Sequence, residues 1–185
     1  MTHDFQKGKY RFVICVDVGG VITKPAQRGT EDTDMLSEDY LKTPTIENAI
    51  PALAVLNHIP GVIVWIVSRA GAIVQYKTRM WMKHNRFHEL TNIPPERVIF
   101  CFSREDKAMA CNELSATIMI DDRYEVLRHI QGPTRRILFN GHLNDENIVR
   151  MKPGFAHIAS SWEEVFLFLC GYGELRPYLV ASKQP

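Results

Sequence analysis

The sequence predicts an α/β protein, a mostly parallel sheet with helices on both faces. Short apolar runs rich in β-branched residues alternate along the chain with stretches of helical period. Several of these runs are apolar throughout, as strands buried on both faces are. The runs end on polar residues, Asp17, Ser68 and Asp121-Asp122, at the edge where an open parallel sheet carries its ligand.

The first strand lies in Arg11 to Thr23, RFVICVDVGGVIT, where apolar residues run from Phe12 to Val16 and break on Asp17 and two glycines. An acid at the end of a buried strand costs free energy unless it is paired, so Asp17 is a candidate functional residue. An Asp that merely caps a turn reads the same way. Glycines just after it let the backbone approach a ligand or turn through positive φ. Lys24 to Ile46, rich in Glu, Asp, Thr and Pro, reads as a polar excursion over the sheet end with at most one short helix. Pro51 suits the first turn of a helix carrying Leu53, Ala54, Leu56 and Ile59, and Pro60-Gly61 stops it.

A second strand, Val62 to Val67, ends on Ser68-Arg69-Ala70-Gly71, and a helix from Ala72 to His84 is expected to bury Ile73, Tyr76, Met80 and Trp81. A proline-marked turn, Asn92 to Glu96, leads into a third strand, Val98 to Phe102. Ser103 with Asp106 three residues on is a box-like helix start, and Lys107 follows in the first turn. Thr117 to Ile120 is a fourth strand ending on Asp121-Asp122, with a short helix after it to about Ile130. Gly132-Pro133 precedes a fifth strand, Arg136 to Phe139, and a brief sixth is expected at Phe155 to Ile158. Ser161-Trp162-Glu163-Glu164 then opens a helix to about Cys170.

At 185 residues the chain fits one domain, 1–185, able to bury a core without staples. Its 45% hydrophobic and 23% charged residues are those of a soluble globular protein. A net charge of +1 gives no strong nucleic-acid signal and no pull toward an anionic membrane. Cys15, Cys101, Cys111 and Cys170 form no CxxC pair and read as reduced thiols. The first ten residues have no signal-peptide core and no run is long enough to span a bilayer, so a cytoplasmic setting is the expectation.

Asp17, Ser68, Lys107 and Asp121-Asp122 thus converge on one sheet edge. A nucleophilic carboxylate, further carboxylates for a divalent cation, a hydroxyl and an ammonium are the groups that phosphoryl transfer through an aspartyl-phosphate uses. Oxygen ligands, few in number and completed by phosphate and water, suit Mg²⁺. Ser68 and Lys107 would hold the phosphoryl oxygens as charge builds on them.

This order of residues, VDVGGVIT, WIVSRAG, SREDK and IMIDDR, resembles the four motifs of the haloacid dehalogenase-like superfamily. The helix YKTRMWMKH, RILFNGHLN and the closing SWEEV make the chain look most like its 5′(3′)-deoxyribonucleotidase-like group, and the likeness covers Arg11 to about Leu169. The resemblance implies a three-layer, Rossmann-like fold and a Mg²⁺-dependent phosphohydrolase acting on a small, nucleotide-like phosphomonoester. It implies Asp17 as nucleophile, Asp122 as metal-binding acid with Asp121 beside it, and the backbone carbonyl of Gly19 completing the metal site.

Two departures from that family's pattern matter. Its phosphatases carry a second Asp two residues after the nucleophile as general acid and base, and here that position is Gly19. General acid–base catalysis contributes roughly 10²–10⁴-fold, so turnover should be slow while binding survives. An alkoxide leaving group would suffer most and an acidic phenol least. Deoxyribonucleotidases also carry a helical cap, whereas the excursion at about 24–46 is a minimal, loop-like insertion. The site is then open, or closed by a partner subunit in a homodimer. Glu31, Asp32 or Asp34 is a candidate substitute acid, against the plainer reading of a solvated loop.

Among the remaining residues, Arg69 reads as a phosphate ligand or a surface arginine, and the plain reading of Arg123 is compensation of the acid pair's charge. Glu125 stands one turn after Asp122. His84 and His88 have i, i+4 spacing but no nearby third ligand for zinc. Trp65, Trp81 and Trp162 read as packing. The alternative to an enzyme is a catalytically weak or inactive protein of the same fold that binds phosphate and metal for regulation. A phosphatase of polynucleotides or phosphoproteins would need a basic groove, and a dehalogenase would not need this acid set.

Overall fold

A computed structural model describes residues 12–25, 35–139, 151–172 and 175–176. The acids Glu31, Asp32 and Asp34, the segment holding His142 and Asn144, and most of the tail lie outside the described residues. The elements are β1 (Phe12–Val16), α1 (Ala49–His58), β2 (Val62–Arg69), α2 (Ala72–His84), α3 (Phe87–Thr91), β3 (Val98–Cys101), α4 (Arg104–Glu113), β4 (Ile118–Asp121), α5 (Tyr124–Leu127), β5 (Arg135–Phe139), β6 (His157–Ala159) and α6 (Trp162–Leu169). The strands form one six-stranded sheet in the order β3-β2-β1-β4-β5-β6 with every pairing parallel.

Alternation along β1 divides the core into two layers. Phe12, Ile14 and Val16 pack under Leu53 and Leu56 of α1, Trp81 and Met82 of α2, Phe87 of α3 and Trp162 and Val165 of α6. Val13 and Cys15 face the other way, toward Ala108 and Cys111 of α4 and Leu127 of α5. Helices therefore cover both faces of a sheet whose central strand β1 is wholly buried. The three tryptophans are all buried, and the four cysteines are free thiols. Among the described residues no helix is long and apolar enough to cross a membrane.

The structure departs from the expected elements at several points. α2 has the expected bounds and buries Trp81, but Ile73 is 73% and Tyr76 62% exposed, and Met80 is half-buried. The face of α2 turned to the core carries Thr78, Trp81 and Met82, and Ile73 and Tyr76 lie off that face on the helical period. α3 was not signalled, because its flanking residues Arg86 and Asn92 are left-handed at φ 54° and 55° without being glycine. β2 runs on through Ser68 to Arg69, α5 stops at Leu127, and β6 is His157–Ala159. The described end of the excursion, from Met35, holds a single 3₁₀ turn, Tyr40–Lys42. Its stem is tied to the β1 loop by the Thr23–Thr45 bridge and by Ile46 N–H donating to the Ile22 carbonyl at 2.8 Å.

Candidate active site

Register places the acids. Val16 pairs with Ile120, and the Asp17 amide donates to the Ile120 carbonyl at 3.0 Å, so Asp17 and Asp121 stand side by side just past the pair. The order 3-2-1-4-5-6 reverses between β1 and β4, the crevice where open α/β sheets bind ligands. After Asp17 the chain folds back at once: Ile22 N–H donates to the Val18 carbonyl at 2.8 Å and Gly20 N–H to the Thr23 carbonyl at 2.8 Å. Gly20 has φ +74°, and a side chain there would overlap the Asp122 carboxylate. Gly19 is exposed with open space around it.

Lys107 reaches these acids from α4. The helix begins on a capping box: Ser103 Oγ accepts from the Asp106 amide at 2.9 Å, and Asp106 Oδ2 accepts from the Ser103 amide at 3.0 Å. Lys107, the next residue, is 0% exposed, with Nζ 2.9 Å from Asp17 Oδ1 and 2.7 Å from Asp121 Oδ2. Burial alone would depress its pKa, but Asp121 and Asp17 outweigh that and raise it. The ammonium is held charged between two carboxylates.

That leaves negative charge in surplus. Burial, opposed by Lys107, pushes Asp121 up to about 6. Burial together with the charges of Asp17 and Asp121 pushes Asp122 up to about 7. Asp121 Oδ1 accepts from the Arg123 amide at 2.9 Å, so both its oxygens are engaged. Asp122 Oδ1 is buried with no hydrogen-bond donor, and the nearest cation, Arg123 Nε, stands 3.9 Å away. Ligand oxygens of Asp17, Asp121 and Asp122 lie within 4.8 Å of one another, the one such group among the described residues. An orphaned buried carboxylate oxygen in an acid-rich, oxygen-only set fits a hard divalent cation.

The acids open onto a cavity of about 320 Å³. Asp17, Gly19, Ser68, Arg69, Lys107 and Asp122 all line it, and Asp121 lies fully buried behind them. Ser68 is buried at the end of β2, and Arg69 beside it is exposed. Sequence reasoning did not single out Lys24 or Thr78, which also line the cavity. Lys24, at the foot of the excursion right after the β1 loop, was the one with a positional signal. His84 and His88 take no part, and His88 Nδ1 pairs with the Ile93 carbonyl at 2.7 Å.

No protein-family model and no curated protein matches this chain. Among solved structures it is similar to a haloacid dehalogenase-like hydrolase of Burkholderia xenovorans LB400, with TM-score 0.60 and 10% identity over 84% of this chain and 97% of that one. It is also similar to a haloacid dehalogenase-like family hydrolase of Xanthomonas campestris, with TM-score 0.51 and 10% identity over 95% of this chain and 99% of that one. At such identity the likeness speaks to architecture, and the chain has the three-layer α/β fold of the haloacid dehalogenase-like hydrolases.

Proposed function

We propose that the chain is a Mg²⁺-dependent phosphomonoesterase of haloacid dehalogenase-like type, acting on a small nucleotide-like ester through an aspartyl-phosphate at Asp17. The observation that carries this reading is the Lys107 ammonium held between Asp17 and Asp121 beside the orphaned Asp122 oxygen, at the floor of a cavity that also presents Ser68. Asp17, Asp122 and the Gly19 carbonyl, with Asp121 behind them, would hold the cation. When bound, it supplies charge for the phosphoryl oxygens.

The chain's own groups do the rest. Lys107 Nζ fixes one oxygen of Asp17 at 2.9 Å, leaving the other to attack phosphorus. The Asp17–phosphorus bond forms as the ester oxygen departs with the bonding pair. Ser68 and Lys107 hold the phosphoryl oxygens through that change. Water then cleaves the acyl-phosphate and restores the carboxylate. Both steps want a proton carrier beside the nucleophile, and Gly19 supplies none. The described acids lining the cavity are Asp17 and Asp122 alone. With no proton carrier for the leaving group among the described residues, the site favours acidic phenols over sugar alcohols. The buried free thiols of Cys15, Cys101 and Cys111 suit a reducing, cytoplasmic setting.

Gly19 also favours a second reading, a protein that binds metal and phosphate without turning ester over. Phosphate release from p-nitrophenyl phosphate and nucleoside monophosphates, with Mg²⁺ or EDTA, separates the two. The enzyme reading expects slow, Mg²⁺-dependent hydrolysis that is lost in Asp17→Asn and rises by roughly 10²–10⁴-fold in Gly19→Asp. Silence of the unaltered protein with activity in Gly19→Asp favours the binding reading. Silence in both removes the phosphoryl chemistry.

A further inference from the structure

Two cations at the cavity stand apart from the ion pairs of the reaction centre. Lys107 is taken by Asp17 and Asp121, and Arg123 stands 3.9 Å from Asp122. Arg69 and Lys24 line the same cavity, and among the described residues neither has a carboxylate within ion-pair range.

Both are mounted on fixed backbone. Arg69 closes β2 in register with Cys101 of β3, and the next amide, Ala70 N–H, donates to the Cys101 carbonyl at 2.9 Å. Lys24 follows the Thr23–Thr45 bridge, and its N–H donates to the Pro44 carbonyl at 2.9 Å. Cations with no carboxylate partner among the described residues, held at a cavity by paired backbone, are preorganised for an anion from outside. The cavity, about 320 Å³, sits at the small end of the roughly 300–1,000 Å³ range of ligand pockets. It has room for more than a phosphate, and Met35 and Val74 give it an apolar wall against which an organic body can pack.

We propose that the substrate carries, beyond the phosphoryl group at Asp17, a second anionic group, a phosphate or a carboxylate, bound by Arg69 and Lys24. This rests on the phosphomonoesterase reading for the first anion. It narrows the substrate class to small bis-anionic phosphoesters.

The test is calorimetric titration in Mg²⁺ at constant ionic strength, on the unaltered protein and on Asp17→Asn, in which bound ester is not consumed. Two matched ligand pairs separate the sources of the second charge: adenosine 5′-monophosphate against adenosine 3′,5′-bisphosphate, and glycerol 3-phosphate against 3-phosphoglycerate. A charge-assisted contact predicts about tenfold or tighter binding of the doubly anionic member in at least one pair. The pair that shows it names phosphate or carboxylate. Arg69→Gln, and to a smaller degree Lys24→Gln, should shrink that preference toward unity. Equal affinity within both pairs, or a preference that survives both substitutions, overturns the proposal. Equal losses for both members of a pair would put Arg69 on the transferred phosphoryl group instead, and overturn it too. Hydrolysis of p-nitrophenyl phosphate is followed alongside: turnover without preference removes this inference alone, and preference without turnover removes the enzyme reading alone.

Discussion

Gly19 and Gly20 are neighbours with opposite tolerances. At Gly20 the backbone is left-handed at φ +74° and a Cβ would overlap the Asp122 carboxylate. Left-handed backbone costs an L-residue roughly 1–2 kcal/mol, and displacing Asp122 adds to that. Gly20→Ala is therefore expected to lose about 2 kcal/mol or more in urea unfolding. It should also lose the Mg²⁺-induced rise in melting temperature, since the displaced carboxylate is a proposed ligand. At Gly19 nothing lies within 4 Å of a built Cβ, and φ is not positive. Gly19→Asp should leave unfolding in Mg²⁺ within about 0.5 kcal/mol of the unaltered protein. Equal destabilisation by the two substitutions would contradict the loop geometry. The residue pattern D-x-G-G pointed to a close approach or a turn through positive φ here. Which glycine meets the neighbour was not legible, because the neighbour, Asp122, comes from a distant part of the sequence.

At the scale of elements, α4 is the one whose local signal serves the site directly. Its capping box satisfies two backbone donors in the turn immediately before Lys107. Removing the hydroxyl in Ser103→Ala should cost about 1 kcal/mol, within roughly 0.5–2. It should also weaken phosphate binding, since the frayed turn no longer fixes Lys107 between its two acids. Ser103→Thr should restore both, and a stability loss with unchanged phosphate affinity would show that Lys107 is positioned by its ion pairs alone. This helix start was readable because the box is spelled within four residues. The buried strands were readable because two-sided burial demands unbroken apolar runs. α2 was legible in extent and not in orientation. Its apolar residues surround the helix, and only the docking of the Thr78, Trp81 and Met82 face on the core decides that Ile73 and Tyr76 face solvent. α3 had no signal because its ends use left-handed Arg86 and Asn92, where glycine would have marked them.

For the whole molecule, the convergence of Asp17, Ser68, Lys107 and the acid pair was legible because all strands of a parallel sheet end at one edge. The pairing between acids was not, since it depends on β1 lying against β4, a consequence of the crossovers. That pairing makes stability depend on pH in a definite sense. Asp121 rises from 3.8 to about 6 and Asp122 from 3.8 to about 7 on folding without metal. Between about pH 4 and 7 these two acids therefore hold more protons in the folded protein than in the unfolded chain, so their contribution makes metal-free stability fall as pH rises through that window. A cation binding the ionised acids reverses the trend. Its stabilisation, about 2.7 kcal/mol at a hundredfold excess over Kd, is fully available only above pH 7 and fades toward pH 5 as protons compete. For a chain of this length that is a shift of about 5–10 °C. Thermal melts at pH 5, 6.5 and 8, in EDTA and in saturating Mg²⁺, should thus diverge as pH rises, with the EDTA curve falling. Asp122→Asn, which removes the surplus charge beside the buried acids, should flatten the EDTA curve and close most of the gap. Parallel curves for the unaltered protein would mean that these three acids hold no cation, and the phosphoryl chemistry would have to be carried by Lys107, Arg69 and Arg123 alone.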